Sequence, residues 1–111
     1  MPLYGYKWET LNSSARSAVI PGSGKLASNA RMEDFITSCT TCSVSFDNEA
    51  QEKFVTYKGQ ATQTFYQIFF PNQQSVQAKV TYANQKQLGG VALWALGYES
   101  KSMLAPLSNY H

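Results

Sequence analysis

The chain has 111 residues, with nine Lys and Arg against seven Asp and Glu and a net charge of +2. That length is one domain or part of one. The basic residues are scattered from Lys7 to Lys101, so no electrostatic stripe for nucleic acid or an anionic membrane forms. Charged residues make up 14% and aromatics another 14%, a balance too apolar and aromatic for a disordered chain. No apolar run approaches the ~20 residues of a membrane span. The opening MPLYGYKWE lacks the basic-then-apolar layout of a secretory signal.

Residues 2–8 (PLYGYKW) alternate as a strand does, with Tyr4 and Tyr6 on one face and Leu3 on the other. Residues 9–24 are rich in Ser, Asn and Gly and end in Pro-Gly-Ser-Gly, which is loop chemistry. Ala30, Met32, Phe35 and Ile36 predict a short helix over 27–38, with Asn29 as a cap. Three β-like runs follow: Ser43–Asp47, Lys53–Lys58, and Gln63–Phe70 stopped by Pro71. Gly59-Gln60 between the last two predicts an antiparallel hairpin. Val76, Val80, Ala83 and Leu88 predict an amphipathic helix over 72–88, ended by Gly89. Residues 90–96 (GVALWAL) are continuously apolar, as in a strand buried on both faces of a parallel sheet. Gly97–Lys101 reads as a loop, and 102–110 as a final helix capped by Ser102. Helix, buried strand and helix in succession are the rhythm of a parallel α/β fold. These elements cannot cover a doubly buried strand, so its sheet neighbours are expected outside the chain.

Two segments carry a resemblance. Pro2-Leu3-Tyr4-Gly5-Tyr6-Lys7-Trp8 resembles the seventh barrel strand of the glycoside hydrolase family 18 catalytic domain. Gly89-Gly90-Val91-Ala92-Leu93-Trp94-Ala95-Leu96-Gly97-Tyr98-Glu99 is similar to its eighth, and Ser75 and Lys79 match the helix before it. The family includes chitinases, spore-cortex-lytic N-acetylglucosaminidases and inactive chitinase-like lectins. The resemblance runs through essentially the whole chain. It implies an α/β fold: the C-terminal fragment of a TIM (β/α)8 barrel with an inserted antiparallel β-hairpin, the insertion covering 27–70. A complete barrel of this kind needs ~250 residues.

The family's reaction is substrate-assisted. The sugar's own N-acetyl oxygen attacks the anomeric carbon, so no enzyme carboxylate is the nucleophile. One Glu, at the end of an Asp-x-x-Asp-x-Asp-x-Glu run, is the general acid. This chain has only Asp34 and Asp47 and no such run, so it inherits no catalytic residue. Glu9, Glu49, Glu52 and Glu99 stand in polar, loop-like stretches, unlike a general acid in a shaped pocket.

The resemblance implies substrate binding instead. Trp94 matches the Trp that floors the scissile sugar, at the strand end where barrel active sites lie. The physical basis is an apolar pyranose C–H face stacking on an indole; the competing reading is a buried core Trp. Tyr4 and Tyr6 would face the barrel mouth, their hydroxyls bonding sugar oxygens, although family members often carry Arg where Tyr6 stands. Barrel-interior packing is the alternative for both. Trp8 reads either as a further stacking platform or as a loop anchor. Glu99 reads as a sugar contact or a solvated loop charge.

Cys39-Thr40-Thr41-Cys42 lacks the second pair that zinc requires, and the only histidine is the terminal His111. The cysteines read either as a disulfide in an extracellular protein or as two unpaired structural thiols. Gly22-Ser23-Gly24-Lys25 lacks the first Gly of a phosphate loop. No metal or cofactor is therefore implied. The expected partners are an N-acetylglucosamine-containing polysaccharide and either the rest of the barrel or a second copy. The expected location of the parent protein is extracellular or at the cell surface. Two rival readings stand beside the hydrolase: a fragment of an inactive carbohydrate-binding lectin, and a small self-associating interaction module.

Overall fold

The computed structural model describes residues 1–111. Its centre is a five-stranded antiparallel sheet of order β2-β1-β5-β4-β3. The strands are β1 (Tyr4–Thr10), β2 (Lys25–Ser28), β3 (Ser43–Asp47), β4 (Glu52–Lys58) and β5 (Phe65–Phe70). Helix α1 (Asn29–Ser38) follows β2, and helix α2 (Gln73–Gln85) follows β5. A short 3₁₀-helix, Ala105–Asn109, lies near the C-terminus.

The strands of the middle segment arise where alternation and β-branched or aromatic residues predict them. β4 and β5 pair from Lys53↔Phe70 to Lys58↔Phe65, the predicted hairpin. That hairpin is part of a larger sheet, because β3 adds to one side and β1 to the other. β5 ends at Pro71, which has no N–H to continue a ladder. Asn72 then opens α2 with a reciprocal cap: its Oδ1 accepts from Ser75 N, and its own N–H bonds Ser75 Oγ. β2 was not predicted. Four residues after a Pro-Gly-Ser-Gly turn are too few to show a period, and pairing with β1 creates the strand.

Two small cores lie within a molecule measuring 47 × 25 × 22 Å. Ala27, Val55, Ile68 and Phe70 point to one sheet face and pack against Met32, Phe35 and Ile36 of α1. Leu3, Val76, Val80 and Met103 form the other, with Leu93, Leu104 and Leu107 around them. Val76, Val80 and Ala83 are the buried face of α2, as their spacing predicts.

Several expectations are corrected. Residues 2–8 do not form one continuous strand. Pro2 bridges Trp94 in parallel, the chain bends at Leu3, and Tyr4–Thr10 then joins the antiparallel sheet. Residues 90–96 are not a buried strand. They make that one parallel bridge, with Leu3 N donating to Trp94 O at 2.8 Å and Trp94 N to Met1 O at 3.0 Å. Val91, Trp94 and Leu96 are exposed, Leu96 by 75%. The reason is the ladder: only residues 1–3 lie beside this segment, and a strand cannot be covered by one short neighbour.

Helix 27–38 begins at Asn29, capped by the Ser28 side chain and not by Asn29. Helix 72–88 ends at Gln85, before Gly89. Gln87 takes the left-handed conformation, with φ of 53°, and Leu88 is exposed. Of the helix expected over 102–110, only Ala105–Asn109 forms, as a 3₁₀-helix preceded by Leu104 and with no side-chain cap from Ser102. Cys39 and Cys42 form a disulfide at the end of α1.

The loop after β1 folds back over the second sheet face. Gln67 of β5 is 2% exposed. Its Oε1 accepts from Arg16 N, and its amide donates to Ser14 O, so a buried polar group is satisfied and fixes the loop. The Arg16 guanidinium reaches Asp47 at 2.8 Å and Glu49 at 3.0 Å. Asp47 also accepts from the backbone of Ala50 and Glu49 in the β3–β4 turn. The Ala50 N–H first, and Arg16 with it, hold the Asp47 carboxyl below its ordinary range.

Glu52 opens β4 and does not sit in a loop. Its Oε1 meets Lys79 of α2 at 3.4 Å, while Oε2 is buried without a partner. Burial raises the Glu52 pKa above its ordinary value of 4.5, against the opposing pull of Lys79. Below the unfolded-state pKa the carboxyl is neutral in both states and costs nothing. Above the folded-state pKa the buried charge is a full burden on the fold. Glu52→Gln is therefore expected to match the parent at acidic pH and to exceed its urea midpoint at neutral pH. A variant less stable than the parent at neutral pH would show that the Lys79 pair outweighs burial.

Candidate functional site

β1 carries most of the candidate residues. Tyr4, Tyr6 and Trp8 share one face by the two-residue period of a strand. Their rings form a continuous row: Tyr4 and Tyr6 centroids lie 6.0 Å apart, and Tyr6 and Trp8 centroids 5.9 Å. Tyr98, from the far end of the chain, extends the row with its ring 5.8 Å from Tyr4. The first two contacts from the Tyr98 end are edge-on, at 70° and 84°, whereas Tyr6 and Trp8 are tilted by 40°. Such pairs are favourable aromatic geometries.

The row is wide as well as long. Leu26 of β2 pairs with Tyr6 and is 50% exposed beside it, and Tyr6 itself is 45% exposed. Next to Leu26 a cleft of about 400 Å³ is lined by Ser28, Ala30, Arg31, Gly97 and Tyr98. An exposed apolar band bordered by polar groups is the usual mark of a binding surface.

Asn29 holds this region together, a role beyond the cap that its sequence position predicts. The residue is fully buried. Its Nδ2 donates to Pro71 O at 2.8 Å, and its Oδ1 accepts from Ser100 N at 2.8 Å. Its backbone N–H donates to Leu3 O, and the next residue, Ala30, donates to Tyr98 O at 2.9 Å. One side chain thus ties the start of α1 to the end of β5 and to the segment carrying Tyr98. No local pattern signals it, because a polar residue before an apolar helix reads as a cap.

Trp94 stands beside Pro2 through the parallel bridge and is 70% exposed, so it is not a core residue. Its indole is paired with no ring of the row. The structure therefore brings Tyr4 and Tyr6 into contact and joins Trp94 to them through the backbone at Pro2. Glu99 accepts from Gly97 N at 2.7 Å and holds the turn before it. Glu52, whose carboxyl titrates high, faces Lys79 of α2.

Three kinds of comparison bear on these residues. The family model described as glycosyl hydrolases family 18 matches residues 1–99. No curated protein matches the chain significantly. Among solved structures, the spore cortex-lytic enzyme SleL of Bacillus megaterium QM B1551 is similar at 27% identity and a TM-score of 0.76, over 100% of this chain and 24% of that one. A chitinase from Chromobacterium violaceum ATCC 12472 is similar at 23% identity and a TM-score of 0.77, over 97% of this chain and 30% of that one. A family 18 N-acetylglucosaminidase from Paenibacillus barengoltzii shares 19% identity with a TM-score of 0.73, over 99% and 32%. The chain thus spans about a quarter to a third of the length of these structures. With its family model matched over residues 1–99, the chain belongs to glycosyl hydrolase family 18.

Proposed function

We propose that the chain is the closing part of a chitinase-like (β/α)8 barrel, acting on β-1,4-linked N-acetylglucosamine polymers. In this reading residues 1–3 and 90–96 are the inner ends of the seventh and eighth strands, and the antiparallel sheet is the insertion between them. The parallel bridge from Pro2 to Trp94 supports that placement. So does the apolar run Leu88, Val91 and Leu96, which is left exposed for further strands and helices to cover. Further support comes from the short share of each similar structure that the chain spans.

The roles follow from the side chains present. Trp94 offers an exposed indole face to the apolar face of a sugar ring. Tyr4 and Tyr6 supply further ring area and hydroxyls for sugar oxygens. The catalytic acid is not among these residues, since the sequence holds no Asp-x-x-Asp-x-Asp-x-Glu run. An extracellular or cell-surface setting fits the Cys39–Cys42 disulfide.

The observation that carries this reading is the exposed indole of Trp94, whose backbone is hydrogen-bonded to Met1 and Leu3, the residues that lead into the strand bearing the aromatic row. Its test is the purified chain with a hexasaccharide of β-1,4-linked N-acetylglucosamine. Titration calorimetry is expected to show binding, and a reducing-sugar assay is expected to show no turnover. Measurable hydrolysis would overturn the division of roles, and absence of binding would overturn the sugar-handling surface.

A further inference from the structure

We infer that Trp8 is a distal platform that makes glycan binding depend on chain length, and that Gly24 is the residue that positions it. This rests on the glycan-binding reading above and adds a boundary to that site.

Trp8 lies farthest along the row from Trp94, and its neighbours on both sides hold it there. On the β2 side stands Gly24, just before the first β2 residue. A Cβ on Gly24 would lie 2.5 Å from the indole Cζ3 and 2.6 Å from Cη2. The ring therefore occupies the space that any other residue at position 24 would fill. This need for Gly is steric and concerns the ring alone. On the β5 side Trp8 pairs with Gln67, whose amide is locked by Ser14 and Arg16. The indole lies over the bare backbone of Gly24 and beside the Tyr6 ring, and its partial exposure leaves area facing outward.

A mere loop anchor would end in the interior. Trp8 instead continues an exposed surface: it tilts only 40° from Tyr6 at 5.9 Å, and Tyr6 is flanked by exposed Leu26. A polymer laid on Tyr4 and Tyr6 and extended along β1 meets the indole next. A short oligosaccharide at the Trp94 and Tyr4 end does not reach it. Holding the ring in place beforehand removes the ordering cost that a free indole would pay on binding.

The test is titration calorimetry of the 111-residue chain with a disaccharide and a hexasaccharide of β-1,4-linked N-acetylglucosamine. Circular dichroism and a urea melt report the fold of each variant. Trp8→Leu keeps apolar volume and removes the ring. It is expected to lower hexasaccharide affinity about five- to tenfold and leave disaccharide affinity unchanged. Gly24→Ala keeps the ring and displaces it, and is expected to give the same pattern; Trp8→Tyr is expected to restore most of the loss. Folded Trp8→Leu with unchanged hexasaccharide affinity would overturn the inference while leaving the glycan surface standing. Equal losses for both ligands would reduce Trp8 to a structural role and overturn it too. If neither ligand binds the parent chain, the glycan reading falls and this inference falls with it.

Discussion

Replacing Trp94 with alanine is expected to weaken hexasaccharide binding by about tenfold or more, while changing stability by no more than about 0.5 kcal/mol. The two expectations come from the same fact. The indole is 70% exposed and belongs to neither core, so the fold loses little when it is removed. Its main-chain groups, which bond Met1 and Leu3, survive the substitution. What disappears is an exposed apolar plane on the segment bridged to Pro2. The loss should exceed that of Trp8→Ala, because in the proposed arrangement Trp94 contacts ligands of every length and Trp8 only the longer ones. Calorimetry showing the reverse order would remove Trp94 from the site. A large fall in the urea midpoint would instead show that the indole is part of the packing.

The second large effect is expected at Gly5. A Cβ there would lie 1.7 Å from Phe69 O and 2.6 Å from Phe70 Cα. Both are backbone atoms, so no rotamer change relieves the collision. Relief requires β1 to part from β5, a ladder that runs from Tyr6↔Phe69 to Thr10↔Phe65. Gly5→Ala is therefore expected to cost about 3 kcal/mol or more, read as a collapse of the urea midpoint. It should also disperse the aromatic row, since Tyr4 and Tyr6 flank the displaced residue. This gives a physical reason for Gly in the Tyr-Gly-Tyr segment: the strand passes so close to β5 that only a hydrogen fits. A variant with parental stability would mean that the two strands lie farther apart than the structure places them.

The Tyr-Gly-Tyr segment was legible in the sequence as a strand with two rings on one face, and those rings do touch. Its partners were not. The period of two places Tyr4 and Tyr6 together, but it says nothing of whether the neighbouring strands run parallel or antiparallel. Tyr98 could not be read into the row, because it stands 94 residues from Tyr4 and is brought there by long-range bonds, Ala30 N to Tyr98 O and Ser100 N to Asn29 Oδ1. The apolar run 90–96 misled for a related reason. Composition reports that a segment can be buried on both faces, not whether the covering elements are present.

The sequence by itself determined the elements whose signals lie within a few residues: β3, β4, β5 and α2, with Pro71 as the stop and Val76, Val80 and Ala83 as the inner stripe. It also carried the resemblance through Gly-Gly-Val-Ala-Leu-Trp-Ala-Leu-Gly-Tyr. The tertiary structure alone decided β2, the buried bridging role of Asn29, the choice of Ser28 as cap, and the disulfide. It alone also decided that Trp94 faces outward. Each of these depends on a hydrogen bond, a bond or a packing contact whose partner is set by the folded path of the chain. Local periodicity, being a sum over near neighbours, holds no term for them.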